Sequence, residues 1–135
     1  MPKDILFVCV ENAGRSQIAE AFFRKFTEGK YNVVSAGTFP TEKLNPIVVE
    51  VMKEIGIDIT KQLPKRLSNS MVSNSHKTVN MGCMEKESCP ALFVKEVINW
   101  DIPDAKRKTL EQVRVIRDQI KSEVLNLIES IDNEK

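Results

Sequence analysis

Cys9 stands at the end of an apolar run and opens the stretch Cys9-Val10-Glu11-Asn12-Ala13-Gly14-Arg15-Ser16. The thiolate, not the thiol, is the nucleophilic form of cysteine, and amide dipoles, a guanidinium or a hydroxyl donor nearby all favour it. A short loop between a strand and a helix supplies such groups. The backbone N–H groups of residues 10 to 16 can converge on one anion, where the helix dipole also favours negative charge. Val10, Glu11, Asn12, Ala13 and Gly14 would then form an anion cradle, with Gly14 letting the backbone approach closely. Arg15 can offer a planar, two-pronged donor to a tetrahedral oxyanion. Ser16 is placed to donate to the sulfur. The chemistry this set would perform is attack by sulfur on a bound oxyanion. The competing reading is a buried cysteine beside a surface arginine.

Two further cysteines, Cys83 and Cys89, lie in the stretch MGCMEKESCP. An odd total of three argues against a structural disulfide framework in a reducing compartment and leaves metal binding, redox chemistry or catalysis. Cys83, Cys89 and His76 would give three metal ligands, but a fourth is missing and the spacing matches no zinc pattern, so no metal is expected. His76 reads as a strand-edge residue. Trp100, Phe22 and the methionines read as core or pocket wall.

The elements that must position these groups follow from hydrophobic periodicity. Asp4 to Val8 reads as a strand running into the Cys9 loop. Ile18, Ala19, Phe22 and Phe26 repeat at three- and four-residue spacing, which predicts an amphipathic helix over 16–26 that stops near Gly29. Tyr31 to Ala36 is a second strand. Asn45 and Pro46 mark a helix start, with Ile47, Val48, Val51, Met52 and Ile55 as its buried stripe and Gly56 as its stop. The polar stretch KRLSNSMVSNSH predicts a short helix and a turn. Lys77 to Met81 and Val97 to Trp100 are further strands. Thr109 and Gln112 match a capping box, followed by helical spacing from Leu110 to Ile131. Strands alternating with helices imply an α/β fold with a parallel sheet covered on both faces.

The 135 residues are 41% hydrophobic, enough for one domain spanning 1–135 around one core. Twenty basic and nineteen acidic residues give a formal charge of +1, which points away from nucleic-acid or membrane-surface partners. The apolar run at the N-terminus is too short for a signal peptide and no stretch could span a bilayer, so a cytoplasmic protein is expected; a monomer is expected as well.

The stretch from Cys9 to Glu20 resembles the phosphate loop shared by low-molecular-weight protein tyrosine phosphatases and thioredoxin-coupled arsenate reductases. Ser35-Ala-Gly-Thr38 and Gly56-Ile-Asp-Ile-Thr60 resemble further family segments, and the likeness covers nearly the whole chain. It implies a three-layer flavodoxin-like fold with a four-stranded parallel sheet ordered 2-1-3-4. In that order strands one and three lie roughly 4.8 Å apart. Cys9 and Cys83 would leave the same carboxyl edge, where the roughly 4.4 to 6.8 Å Cα separation of a disulfide is reachable. A helical 83–89 segment would separate Cys83 and Cys89 by about 9 Å along its axis, so a bond between them requires that segment to loop or unwind.

The pair Cys83 and Cys89 points to the reductase branch, although its separation is one residue shorter than the reductases usually have. The resemblance then implies attack of Cys9 on arsenate held by Arg15, and a Cys9–Cys83 disulfide formed as arsenite leaves. Cys89 resolves that bond, and thioredoxin reduces the Cys83–Cys89 disulfide. It also implies that Asp104, in NWDIPDAKR, is the acid. Ala105 stands where the family usually has proline, and Asp101 is the other carboxylate in the loop. Asn12 resembles the residue that braces the loop. Some members bind potassium near the equivalents of Asn12, Glu20 and Ser35, with an aspartate at the position of Lys65, whose ammonium is expected to replace the ion. No organic cofactor is implied. The alternatives are a phosphatase using Cys9, Arg15 and Asp104 alone, and a non-enzymatic oxyanion or redox sensor.

Overall fold

A computed structural model describes residues 3–81 and 97–134. The expectations for Cys83, Cys89 and a shape-changing segment between them lie outside the described residues.

The described chain runs β1 (Asp4–Cys9), α1 (Arg15–Thr27), β2 (Asn32–Gly37), α2 (Pro46–Lys53), α3 (Asn69–Asn74), β3 (Lys77–Asn80), β4 (Ile98–Asn99) and α4 (Leu110–Asp132). The four strands are parallel and ordered β2-β1-β3-β4, as the resemblance implies. Side chains alternate across a strand. Ile5, Phe7 and Cys9 therefore face the larger core, shared with α1, α2 and α4, while Leu6 and Val8 face the smaller one, shared with Val72 of α3. That parity puts the Cys9 sulfur on the side of the sheet where α1 begins.

Phe7, Phe22 and Phe23 are fully buried, with the Phe7 and Phe23 rings edge-to-face at 5.8 Å. Each such side chain contributes roughly 1.5–3 kcal/mol through removal from water. Trp100 packs against Phe7 at 5.7 Å, so the fourth strand's end is tied to the centre of the core. Every residue of α1 from Ser16 to Phe23 is buried. The amphipathic pattern undercounts this burial because α1 is covered by the sheet, by α4 and by the loops of the site.

The helix starts follow the residues that cap them. Asn45 accepts from the Ile47 N–H with Pro46 at the first helical position, and Thr109 and Gln112 form a reciprocal capping box. Three expectations are corrected. Ile55 lies beyond the end of α2 and is exposed, because the helix stops at Lys53 and Gly56 turns the chain with a φ of 81°. The fourth strand is only Ile98–Asn99 rather than Val97 to Trp100. The first strand extends through Cys9, which pairs with Gly37.

Candidate active site

Strand β1 ends at Cys9 and α1 begins at Arg15, leaving five residues to form the loop between them. Its carbonyls are all taken from outside the loop. Val10 accepts from the Phe39 N–H, Glu11 from Thr41, Ala13 from Asn45, Gly14 from Ile18, and Asn12 from the Gln17 side chain. In a trans peptide the C=O of one residue and the N–H of the next point in opposite directions, and the described chain has no cis bond. The N–H groups of Glu11, Asn12, Ala13 and Gly14 therefore point away from the segments holding the carbonyls. Among the described residues none of these N–H groups has an acceptor, and Gly14 puts no side-chain cap on α1.

Asn12 holds the loop's shape. It is fully buried with a φ of 53°, a left-handed backbone that asparagine tolerates. The Lys65 backbone N–H, an unambiguous donor, meets its Oδ1 at 2.8 Å and thereby fixes which way the amide faces. Its Nδ2 then donates to Ser16 Oγ at 2.7 Å. The Ser16 oxygen is thus an acceptor toward Asn12, and its own proton is free for Cys9 Sγ, 2.8 Å away. Cys9 is 2% exposed.

Arg15 reaches from the first turn of α1 to the loop after β4. Its guanidinium donates to the Ile102 carbonyl at 2.9 Å and lies 3.8 Å from Asp104 Oδ2. Asp104 Oδ1 accepts the Lys106 N–H at 3.0 Å, and the Asp104 side chain is exposed. Asp101 is exposed as well, and its carbonyl accepts from Gln119. Of the two carboxylates, Asp104 is the one in ion-pair range of Arg15. A cavity of about 390 Å³ opens beside Arg15, bounded by Asn80, Met81, Asn99, Trp100, Asp101 and Ile102.

Close backbone approach is required at Gly37, not at Gly14. A Cβ on Gly37 would sit 2.4 Å from the Val10 oxygen and 2.9 Å from the Asn12 nitrogen. At Gly14 the same atom would meet Ala105 and Val48 at ordinary contact distances of 3.5 and 3.6 Å. Sequence reasoning also passed over Gln17, whose side chain donates to Asn12 O, Asn12 Oδ1 and Leu63 O and accepts from Gln62. Its one signal was an amide side chain directly after Ser16 on a helix's first turn.

Glu20, on α1, is buried and accepts from Ser35 Oγ at 2.7 Å, with Arg24 at 2.9 Å from its other oxygen. The Lys65 ammonium donates to the Leu63 carbonyl at 3.0 Å and lies 3.9 Å from Glu20 Oε1. Among the described residues no three His, Cys, Asp or Glu side chains are grouped to hold a metal ion, and His76 instead meets Glu134. Nor is any described helix long and apolar enough to cross a membrane.

This site can be set beside known proteins. The chain is 34% identical over 126 residues to the arsenate reductase of Staphylococcus aureus strain Newman, covering 92% of this chain and 95% of that one. A solved arsenate reductase in the phosphate binding state superposes with a TM-score of 0.85 at 31% identity, covering 96% and 98% of the two chains. The thioredoxin-dependent arsenate reductase of Corynebacterium glutamicum gives a TM-score of 0.82 at 30% identity, covering 97% of this chain and 62% of that one. The family model for low molecular weight phosphotyrosine protein phosphatase matches residues 4–135, so the chain belongs to that family.

Proposed function

We propose that the chain reduces arsenate to arsenite, with Cys9 as nucleophile and Cys83 and Cys89 as the thiols that carry the oxidised bond outward to thioredoxin. The observation that carries the chemistry is the sulfur of Cys9, 2.8 Å from Ser16 Oγ, at the head of a helix whose first amides have no acceptor among the described residues. Similarity to arsenate reductases supports the choice of substrate.

In this mechanism the amides of residues 10 to 16 and the Arg15 guanidinium bind the arsenate dianion. The Cys9 thiolate, receiving the Ser16 proton as a hydrogen bond, attacks arsenic. An As–S bond forms and an As–O bond breaks, the departing oxygen taking a proton from Asp104 and leaving as water. Cys83 then attacks the Cys9 sulfur. The S–S bond forms, the S–As pair returns to arsenic, and arsenite departs. Overall one arsenate and two thiols give one arsenite, one disulfide and water. Cys89 displaces Cys9 from Cys83, and thioredoxin reduces the resulting bond by thiol–disulfide exchange.

A phosphatase activity shares the first half of this route. The pairing of Asp104 with Arg15 would serve a phosphoryl group equally well, because phosphate and arsenate have the same shape and charge. The thiol pair separates the two activities. Arsenate-dependent NADPH consumption through thioredoxin and its reductase is expected to disappear in Cys83→Ser, while hydrolysis of a small aryl phosphate persists. Loss of both, or of neither, contradicts the relay.

The Lys65 ammonium takes the place of the potassium ion some relatives hold, so the buried Glu20 carries its own cations. Exchanging sodium for potassium at constant ionic strength is expected to leave the melting temperature unchanged, and a potassium-specific rise would contradict this.

A further inference from the structure

The loop that would bind a dianion carries a carboxylate of its own. Glu11 contributes an amide N–H with no acceptor among the described residues, while its side chain places a negative charge at the rim. Left alone, that charge opposes an oxyanion bound by the amides of the same loop. Lys106 lies opposite, its ammonium 3.2 Å from Glu11 Oε2.

Lys106 comes from the loop that carries Asp104, and that loop is seated on the first by other contacts. Arg15 donates to the Ile102 carbonyl, and Ala105 is 1% exposed and faces Gly14. An exposed ion pair adds little to folding stability. Its consequence here is electrostatic, because one partner belongs to the anion loop and the other to the acid loop.

We propose that Lys106 and Glu11 form a charge-balancing pair that sets the affinity of the loop for its oxyanion, with Lys106 cancelling the repulsion from Glu11. This rests on the oxyanion-binding reading of the loop and deepens it. Lys106 tunes affinity on this account and is not a catalytic residue. Its backbone N–H, rather than its ammonium, holds Asp104, so a side-chain change leaves that bond in place.

Inorganic phosphate titrated calorimetrically into the reduced full-length chain tests the sign of each charge, with no reductant or turnover involved. Lys106→Gln is expected to weaken phosphate binding about fivefold and Glu11→Gln to tighten it by a similar factor, both effects shrinking at high salt. The double variant returns to near the wild-type affinity. In aryl phosphate hydrolysis the Lys106→Gln effect falls on KM and spares kcat. Both single changes weakening binding would mark a structural clasp and overturn the proposal, as would no change in either. A lowered kcat with unchanged KM would assign Lys106 to holding Asp104 instead, and also overturns it. Phosphate binding by the wild type without arsenate turnover would sink only the reductase reading. Absence of phosphate binding in the wild type would sink the oxyanion site and this inference with it.

Discussion

Asn12 joins three demands in one side chain: a left-handed backbone, an acceptor for Lys65 N–H and a donor to Ser16. Asn12→Ala would leave the Lys65 N–H without its acceptor and release the Ser16 hydroxyl from its fixed orientation. A loss of roughly 1 kcal/mol in stability is expected from the unpaired, partly buried group, read by denaturant unfolding. A fall in kcat should accompany it, and full activity in Asn12→Ala would contradict the role given to Ser16. Asp104→Asn removes the proposed proton donor and is expected to lower kcat by about 10² to 10⁴. Cys9, Arg15 and Ser16 were legible in the sequence because a strand, a short loop and a helix start bring them together locally. The roles of Gln17 and Lys106 were not. Their partners Leu63 and Glu11 lie 46 and 95 residues away, and only the tertiary fold brings them together.

Elements set the loop's shape from outside. Gly37 ends β2 directly beside Cys9, and its missing side chain is what lets the Val10 carbonyl and the Asn12 nitrogen pass. Gly37→Ala forces backbone against backbone, so a lower melting temperature together with lost phosphate hydrolysis is expected, whereas Gly14→Ala meets only ordinary contacts. Wild-type behaviour in Gly37→Ala would contradict the packing described. Helix starts were readable because Asn45, Pro46, Thr109 and Gln112 are local signals. Burial was less so: Ile55 kept the spacing of a buried residue but fell after the helix had ended.

At the far end of the molecule, charge ties the end of α4 to the amino edge of the sheet. Glu134 meets His76 at 2.6 Å, Lys3 at 3.2 Å and Lys77 at 3.3 Å, while Asp132 accepts from Lys30 and Tyr31. The His76 ring foremost, then Lys3 and Lys77, holds the Glu134 carboxyl down to about 2 from an ordinary 4.5. A lowered carboxyl value adds stability above the ordinary value and loses it as the pH falls toward the lowered one. Glu134→Gln should therefore melt below the wild type at neutral pH, with the gap closing between pH 4.5 and 2. A gap independent of pH would mean the carboxylate's charge is not what holds the end of α4.

For the whole molecule, the parallel register sets the ends of the two inner strands side by side. Val8 pairs with Asn80, so the chain leaves β3 beside the end of β1, and Cys83 follows Asn80 by three residues in sequence. The alternation of strands and helices pointed to a parallel sheet, and the resemblance supplied its order. Which charges would meet across the mouth of the site depended on loops whose docking no periodicity encodes. The most direct measurement is a single turnover of reduced Cys89→Ser with arsenate, followed by peptide mass mapping and arsenite quantification. One arsenite per chain and a trapped Cys9–Cys83 disulfide are expected. Arsenite formed without that bond, or intact thiols with no arsenite, would contradict the account.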